Sequence, residues 1–140
     1  QTIITENIHT YAFDCQLDIK VKNAWLNINN KGNKNRPHVH PCSEFACVYY
    51  LKTPQDCGNL VLIKNSTYRM DGIADLPAKE TNVLNCDSFF IQPEENRFVM
   101  FPGYVEHLVE KNNSNEDRIS LSFNLSVTPK WVLKKINIQY

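Results

Sequence analysis

Between Arg118 and Leu125 the chain reads Arg-Ile-Ser-Leu-Ser-Phe-Asn-Leu, an unbroken alternation of polar and apolar residues. Side chains change face at every residue of a β-strand, so this pattern fits a strand and no helix. Ile119, Leu121, Phe123 and Leu125 share one face, and Arg118, Ser120, Ser122 and Asn124 share the other. Short β-branched and aromatic runs broken by turn residues recur along the chain, and no stretch keeps a 3.6-residue apolar period for three turns. Strands are expected near residues 19–29, 44–52, 59–64, 88–92, 97–101, 105–110 and 118–126, with one more near 131–138. Turns are expected at Lys31-Gly32-Asn33, 54–58, 93–96 and 111–117, with Asn96 in a conformation that glycine adopts most easily.

Seven or eight short strands in 140 residues suit one all-β domain spanning 1–140, built as a sandwich, a jelly roll or a barrel. Residues 65–87 lack clean periodicity, and an insertion of that length in a compact β domain is read as a lid or binding loop. Fifteen basic residues balance fifteen acidic ones, which leaves no electrostatic footprint for nucleic acid or an anionic membrane. No apolar run approaches the roughly 18 to 20 residues that would cross a bilayer. The five cysteines are scattered and form no CxxC pair, so a reducing cytoplasm is the expected compartment. Sequons begin at Asn65, Asn112 and Asn124 in a chain rich in Asn, and glycosylation is not expected there. The tail 130–136 reads either as an edge strand or as the contact of a homodimer.

Three of the four histidines sit where a metal would need them. His38 and His40 in Pro37-His38-Val39-His40 are two apart, so in an extended chain they project to the same side and can grip one ion. His107 alternates with Val105 and Val109 and is expected to point inward with them. The polar face of 118–125 is either a solvent side or the lining of a cavity. In the second case Arg118 with Ser120 offers a guanidinium fork and a hydroxyl for one carboxylate, which suits a small dicarboxylate.

From Trp25 to Leu125 the chain resembles the 2-oxoglutarate- and Fe(II)-dependent oxygenases, most closely a bacterial and phage group among them. The resemblance is carried by Ala24-Trp25-Leu26-Asn27-Ile28-Asn29, His38-Val39-His40-Pro41, Val48-Tyr49-Tyr50-Leu51 with Gly58-Asn59-Leu60-Val61, Phe98-Val99-Met100-Phe101-Pro102 leading to His107, and Arg118–Asn124. Tyr49-Tyr50-Leu51 and the closing strand also resemble the prolyl-hydroxylase branch. The resemblance implies a double-stranded β-helix (jelly roll) and an Fe(II) centre using 2-oxoglutarate and O2, with decarboxylation to succinate coupled to substrate oxidation. It implies His38 and His107 as iron ligands, Arg118 as the partner of the distal carboxylate, and Ser120 and Tyr50 as helper hydroxyls for that carboxylate. His40 stands where the superfamily usually carries Asp. Two arrangements follow: a neutral third imidazole on iron, which is the expectation, or a residue behind a bound water. The substrate is not decoded by the sequence, though a protein side chain fits the nearest branch.

A cupin shares the architecture, and its first motif is matched by Gly32, His38, His40 and Glu44 with His107 as a fourth ligand. The second cupin motif, P-x-G-x2-H, is not matched by Pro102-Gly103-Tyr104-Val105-Glu106-His107, and it gives Arg118 no role. A non-enzymatic β-sandwich interaction module is the third reading, and it gives no reason for the histidine spacing. Cys42 and Cys47 read as small apolar fillers, and Trp25 as core or as a wall of the pocket.

Overall fold

The computed structural model describes residues 17–64, 80 and 86–130. Within them the chain forms β1 (Leu17–Asn29), β2 (Asn35–His38), β3 (Phe45–Lys52), β4 (Leu60–Ile63), β5 (Ser88–Ile91), β6 (Phe98–Pro102), β7 (His107–Val109) and β8 (Arg118–Pro129). They make two four-stranded antiparallel sheets, in the orders β1-β8-β3-β6 and β2-β7-β4-β5. Sequential strands fall in alternate sheets often enough that the chain winds across the gap, which is the jelly-roll arrangement expected from the sequence. Seven of the expected strands are present within two or three residues of their limits; the one near 131–138, the dimer contact of the tail and nearly all of the 65–87 lid lie outside the described residues.

β8 is the organising strand, paired along its length with β1 and, on the other side, with β3. Its alternation puts Arg118, Ser120 and Ser122 toward the space between the sheets, where they line a cleft. The apolar alternates turn to the outer side, where Leu125 is wholly buried in a cluster with Phe45 and Cys47. The polar stripe is therefore the interior one, as the cavity reading required. The core between the sheets consists of Ala46, Val48, Tyr50 and Phe101 from one sheet and Leu60 from the other, flanked by Leu62, Val105 and Val109.

β2 did not stand out as a strand of its own, because Asn-Arg-Pro-His carries neither alternation nor β-branched residues. It forms because it is an edge, where a proline without an N–H does no harm to the ladder. Only two of its positions are in register with β7, Asn35 opposite Val109 and His38 opposite His107. Turn chemistry falls where expected: Gly32, Asp56, Gly58 and Asn96 all take positive φ.

Candidate metal centre

The three expected histidines meet. His38 and His107 stand directly opposite each other on β2 and β7, with ring centroids 4.2 Å apart. His40 arrives differently from the expectation of one continuous strand, since the ladder stops at His38. The His40 N–H instead donates to the Gly103 carbonyl, and the Gly103 N–H donates to the Glu44 carbonyl. This clamp folds the segment after β2 over the end of β6, and a Cβ on Gly103 would overlap the Ser43 carbonyl oxygen. Glycine at 103 is thus a requirement of close approach rather than of φ.

One donor atom from each of His38, His40 and His107 lies within 4.8 Å of the others. The Nε2 atoms of His40 and His107 are 3.2 Å apart. Imidazole–metal bonds of about 2.1 Å set at tetrahedral or right angles separate their donors by about 3.0–3.4 Å, so that edge already has the spacing of a coordination polyhedron. Orientation agrees. A carbonyl can only accept, so the contacts of His38 Nδ1 with the Arg36 carbonyl (2.7 Å) and of His107 Nδ1 with the Val105 carbonyl (3.0 Å) are N–H donations. Both rings therefore present Nε2 lone pairs, held in place by a backbone acceptor as metal-binding histidines commonly are.

Electrostatics keep the lone pairs available. Burial pushes His107 down to about 4, helped by His38 and His40 and opposed by the Val105 carbonyl. His40 is also lowered, by burial and then by His38, while the Asn124 side chain acts in the opposite sense. Burial thus favours the neutral imidazole at His40 and His107, the form that can take a cation. Trp25 stacks on His40 at 6.0 Å and Phe101 meets His107 edge-on at 4.7 Å, so aromatic walls fix both ring planes.

From the histidines the cleft runs between the sheets to Arg118. Arg118 is 1% exposed, and its Nη1 donates to the carbonyls of Cys57 and Gly58 in the β3–β4 turn. Its Nη2 is buried with no hydrogen-bond partner among the described residues. Ser120 and Tyr50 are in register across β8 and β3, both buried and both on the cleft wall. Burial raises the Tyr50 phenol to about 12, against the opposing effect of Arg118, so it is a neutral donor at physiological pH. An anion at the closed end would find one cation with a free N–H and two hydroxyls.

Several other expectations resolve. The Glu44 carboxylate accepts from the Val127 N–H and stays out of the histidine group, so the cupin ligand set is not assembled. Cys47 is a buried filler whose thiol is raised to about 12 by burial, whereas Cys42 is exposed. Asn112 is wholly buried and Asn124 is 8% exposed, so neither sequon can carry a glycan on the folded chain; Asn65 lies outside the described residues. Trp25 is a wall of the pocket, exposed beside the histidines. Gly103 and Asn124 were not singled out for the site by the sequence; the only signal was that Asn124 ends the polar stripe begun by Arg118.

A family model described as "Putative 2OG-Fe(II) oxygenase" matches residues 23–124, which contain every residue of the cluster and the cleft. Among solved structures, an oxidoreductase of the 2OG-Fe(II) oxygenase family from Burkholderia pseudomallei superposes with a TM-score of 0.61 at 17% identity, covering 81% of this chain and 48% of that one. A prolyl-4-hydroxylase from Pseudomonas putida gives 0.55 at 16% identity, covering 88% and 60%. A non-heme monooxygenase, ThoJ in complex with Ni, gives 0.55 at 11%, covering 80% and 47%. The chain thus spans from about half to three-fifths of the length of these structures, and at such identities they establish the fold alone. No match was found among the curated proteins.

Proposed function

The chain belongs to the 2OG-Fe(II) oxygenase family, whose model it matches over residues 23–124, and from that premise we propose that it is a dioxygenase using Fe(II), 2-oxoglutarate and O2 to hydroxylate a substrate C–H bond. The observation that carries the proposal is the pairing of two unusual features in one cleft: three imidazoles converging at one end and a buried guanidinium with an unpartnered N–H at the other. The residues fit both groups that the family implies. His38, His40 and His107 would hold the iron, and Arg118, Ser120 and Tyr50 would hold the distal carboxylate of 2-oxoglutarate.

Iron, when bound, supplies the oxygen chemistry: 2-oxoglutarate, O2 and R–H become succinate, carbon dioxide and R–OH. The chain supplies placement. Arg118 sets the depth to which the cosubstrate enters, and its charge balances a carboxylate in a setting too dry for water to do so. Tyr50 and Ser120 donate to the same group, and the apolar wall of Val48, Leu60, Phe101 and Val109 keeps competing water from the cleft. Three imidazoles would hold the metal without adding a negative charge to it. Trp25, exposed at the histidine end, is placed to meet the substrate. The likeness in fold to a prolyl-4-hydroxylase supports a protein side chain as the substrate class.

The test is succinate release from 2-oxoglutarate under Fe(II) and O2, with and without candidate peptides. Wild type is expected to turn over slowly even without substrate, and Arg118→Met to lose 2-oxoglutarate binding by about 100-fold or more, in keeping with about 3 kcal/mol for a charge-assisted pair, while keeping its metal. Wild-type turnover in Arg118→Met, or none in wild type loaded with iron, would sink the proposal.

A further inference from the structure

Arg118 can meet a carboxylate only if its guanidinium is held at one depth with Nη2 turned into the cleft, and a side chain with so much rotamer freedom does not secure that by itself. Two attachments hold it: the backbone where β8 begins, and the carbonyls of Cys57 and Gly58 that accept from Nη1. They are remote in sequence, yet both are fastened to one short segment, 110–113, which follows β7. Toward the β3–β4 turn, the Glu110 N–H donates to the Asn59 carbonyl (2.9 Å) and the Asn113 N–H to the Asp56 carbonyl (2.9 Å). The Glu110 carboxylate accepts from the Asn59 N–H (3.0 Å) and Nδ2 (2.8 Å). Gly58 is pressed onto the same segment, since a Cβ there would fall 2.7 Å from the carbonyl oxygens of Glu110 and Lys111.

Toward β8 the fastening is Asn112, which is wholly buried. Its Nδ2 donates to the carbonyls of Asn29 and Glu116, both at 2.8 Å, and its Oδ1 accepts from the Ser114 N–H at 2.9 Å. Its own N–H donates to the Asn33 carbonyl (2.9 Å), and its carbonyl accepts from the Gly32 N–H (2.7 Å). Every polar atom of the residue is thus engaged. Asn29 is the residue opposite Arg118 in the β1–β8 ladder, and Glu116 stands just before Arg118 in the chain. One carboxamide therefore bridges the two backbones between which the Arg118 side chain starts. Two exposed bonds join the same stretches, Asn30 Nδ2 to Asp117 Oδ1 (2.7 Å) and Lys31 Nζ to Asn115 Oδ1 (2.8 Å). Water can replace those, whereas the carbonyls that Asn112 serves have no such substitute once its side chain is gone.

We infer that Asn112 is a positioning residue for Arg118: by locking the start of β8 to the segment that also carries the Cys57–Gly58 turn, it fixes the reach of Nη2 and with it the length of the 2-oxo diacid that the cleft accepts. This rests on the reading of Arg118 as the partner of the distal carboxylate. The residue type follows from the geometry. Two carbonyls need two N–H groups from one short side chain, and the Ser114 N–H needs an oxygen on the same group; Asp has no donor when ionised. Asn112 touches neither the histidines nor the cleft wall, so it acts through Arg118 alone.

The test is anaerobic calorimetry of the full chain loaded with Fe(II), titrated with 2-oxoglutarate and with 2-oxoadipate, which is one methylene longer. Wild type is expected to prefer 2-oxoglutarate by about 10-fold or more, the worth of one methylene in a fitted site. Asn112→Ala should bind 2-oxoglutarate about 10- to 100-fold more weakly, as displacement of a binding group by about 1 Å does, and should lose most of that preference. Asn112→Asp, of the same size and with the Ser114 bond kept, should change both in the same direction, while Asn30→Ala should match wild type. A merely structural role would lower the fraction of molecules that bind and leave the affinity and preference of that fraction as in wild type. That result in Asn112→Ala or Asn112→Asp would overturn the role of Asn112 and leave Arg118 standing. Equal 2-oxoglutarate affinity of wild type and Arg118→Met would remove the carboxylate site itself, and this inference with it.

Discussion

A guanidinium with 1% of its surface exposed and one Nη lacking a partner among the described residues is expensive to fold around, unless a ligand completes it. That cost favours a carboxylate beside Arg118, and Tyr50 lines the same cleft. Raised to about 12 from an ordinary 10 by burial, Tyr50 binds its proton more tightly folded than unfolded. Its contribution to stability is therefore complete below pH 10 and is lost as pH rises toward 12, by roughly 2–3 kcal/mol at most. Guanidinium unfolding at pH 8 and pH 11 is expected to show a smaller loss for Tyr50→Phe than for wild type. The same substitution should weaken 2-oxoglutarate binding about fivefold, the worth of one neutral hydrogen bond of about 1 kcal/mol. Identical pH profiles for the two proteins would mean that the phenol is not held as described. Residues of this kind were legible in the sequence, since Arg, Ser and His on faces that must turn inward announce themselves. Gly103 was not, because its close approach to the 40–44 backbone depends on how the end of β6 and the segment after β2 come to lie side by side, and no local pattern encodes that.

At the scale of elements, the site is the product of one ladder and one clamp. The ladder sets His38 against His107, and the clamp through Gly103 brings His40 to them after the ladder has ended. Gly103→Ala is expected to force the 40–44 backbone away from β6, because the new methyl would occupy the place of the Ser43 carbonyl oxygen. Its signature should be a Co(II) affinity at least 10-fold lower with Arg118-dependent anion binding retained, measured by calorimetry. Unchanged Co(II) affinity would show that the clamp does not govern His40. The long alternating strands β1, β3 and β8 were readable because their periodicity is a property of each strand alone. β2 was not, because Asn-Arg-Pro-His becomes a strand only through β7, and its two matched positions leave almost no imprint on composition. The H-x-H spacing correctly united His38 and His40, but through a bend stabilised by another sheet's turn rather than through one extended run.

Across the described residues as a whole, polarity is arranged inside out at one end of the gap: β8 keeps Arg, Ser and Asn within and sends Leu121 and Phe123 to its other face. A chain with no net charge thereby concentrates one cation where a small anion can be enclosed. No described helix is long and apolar enough to cross a membrane. Jelly-roll closure of two sheets supplies the rigidity that such a site demands, and the histidine end carries the aromatic Trp25. The most direct measurement is a crystal structure of the chain soaked anaerobically with Fe(II) and 2-oxoglutarate. Iron bound to Nε2 of His38, His40 and His107, with the distal carboxylate on Arg118 Nη2 and the Tyr50 and Ser120 hydroxyls, is the expected result. Iron ligated by any other set of side chains, or the cosubstrate carboxylate bound away from Arg118, would contradict it.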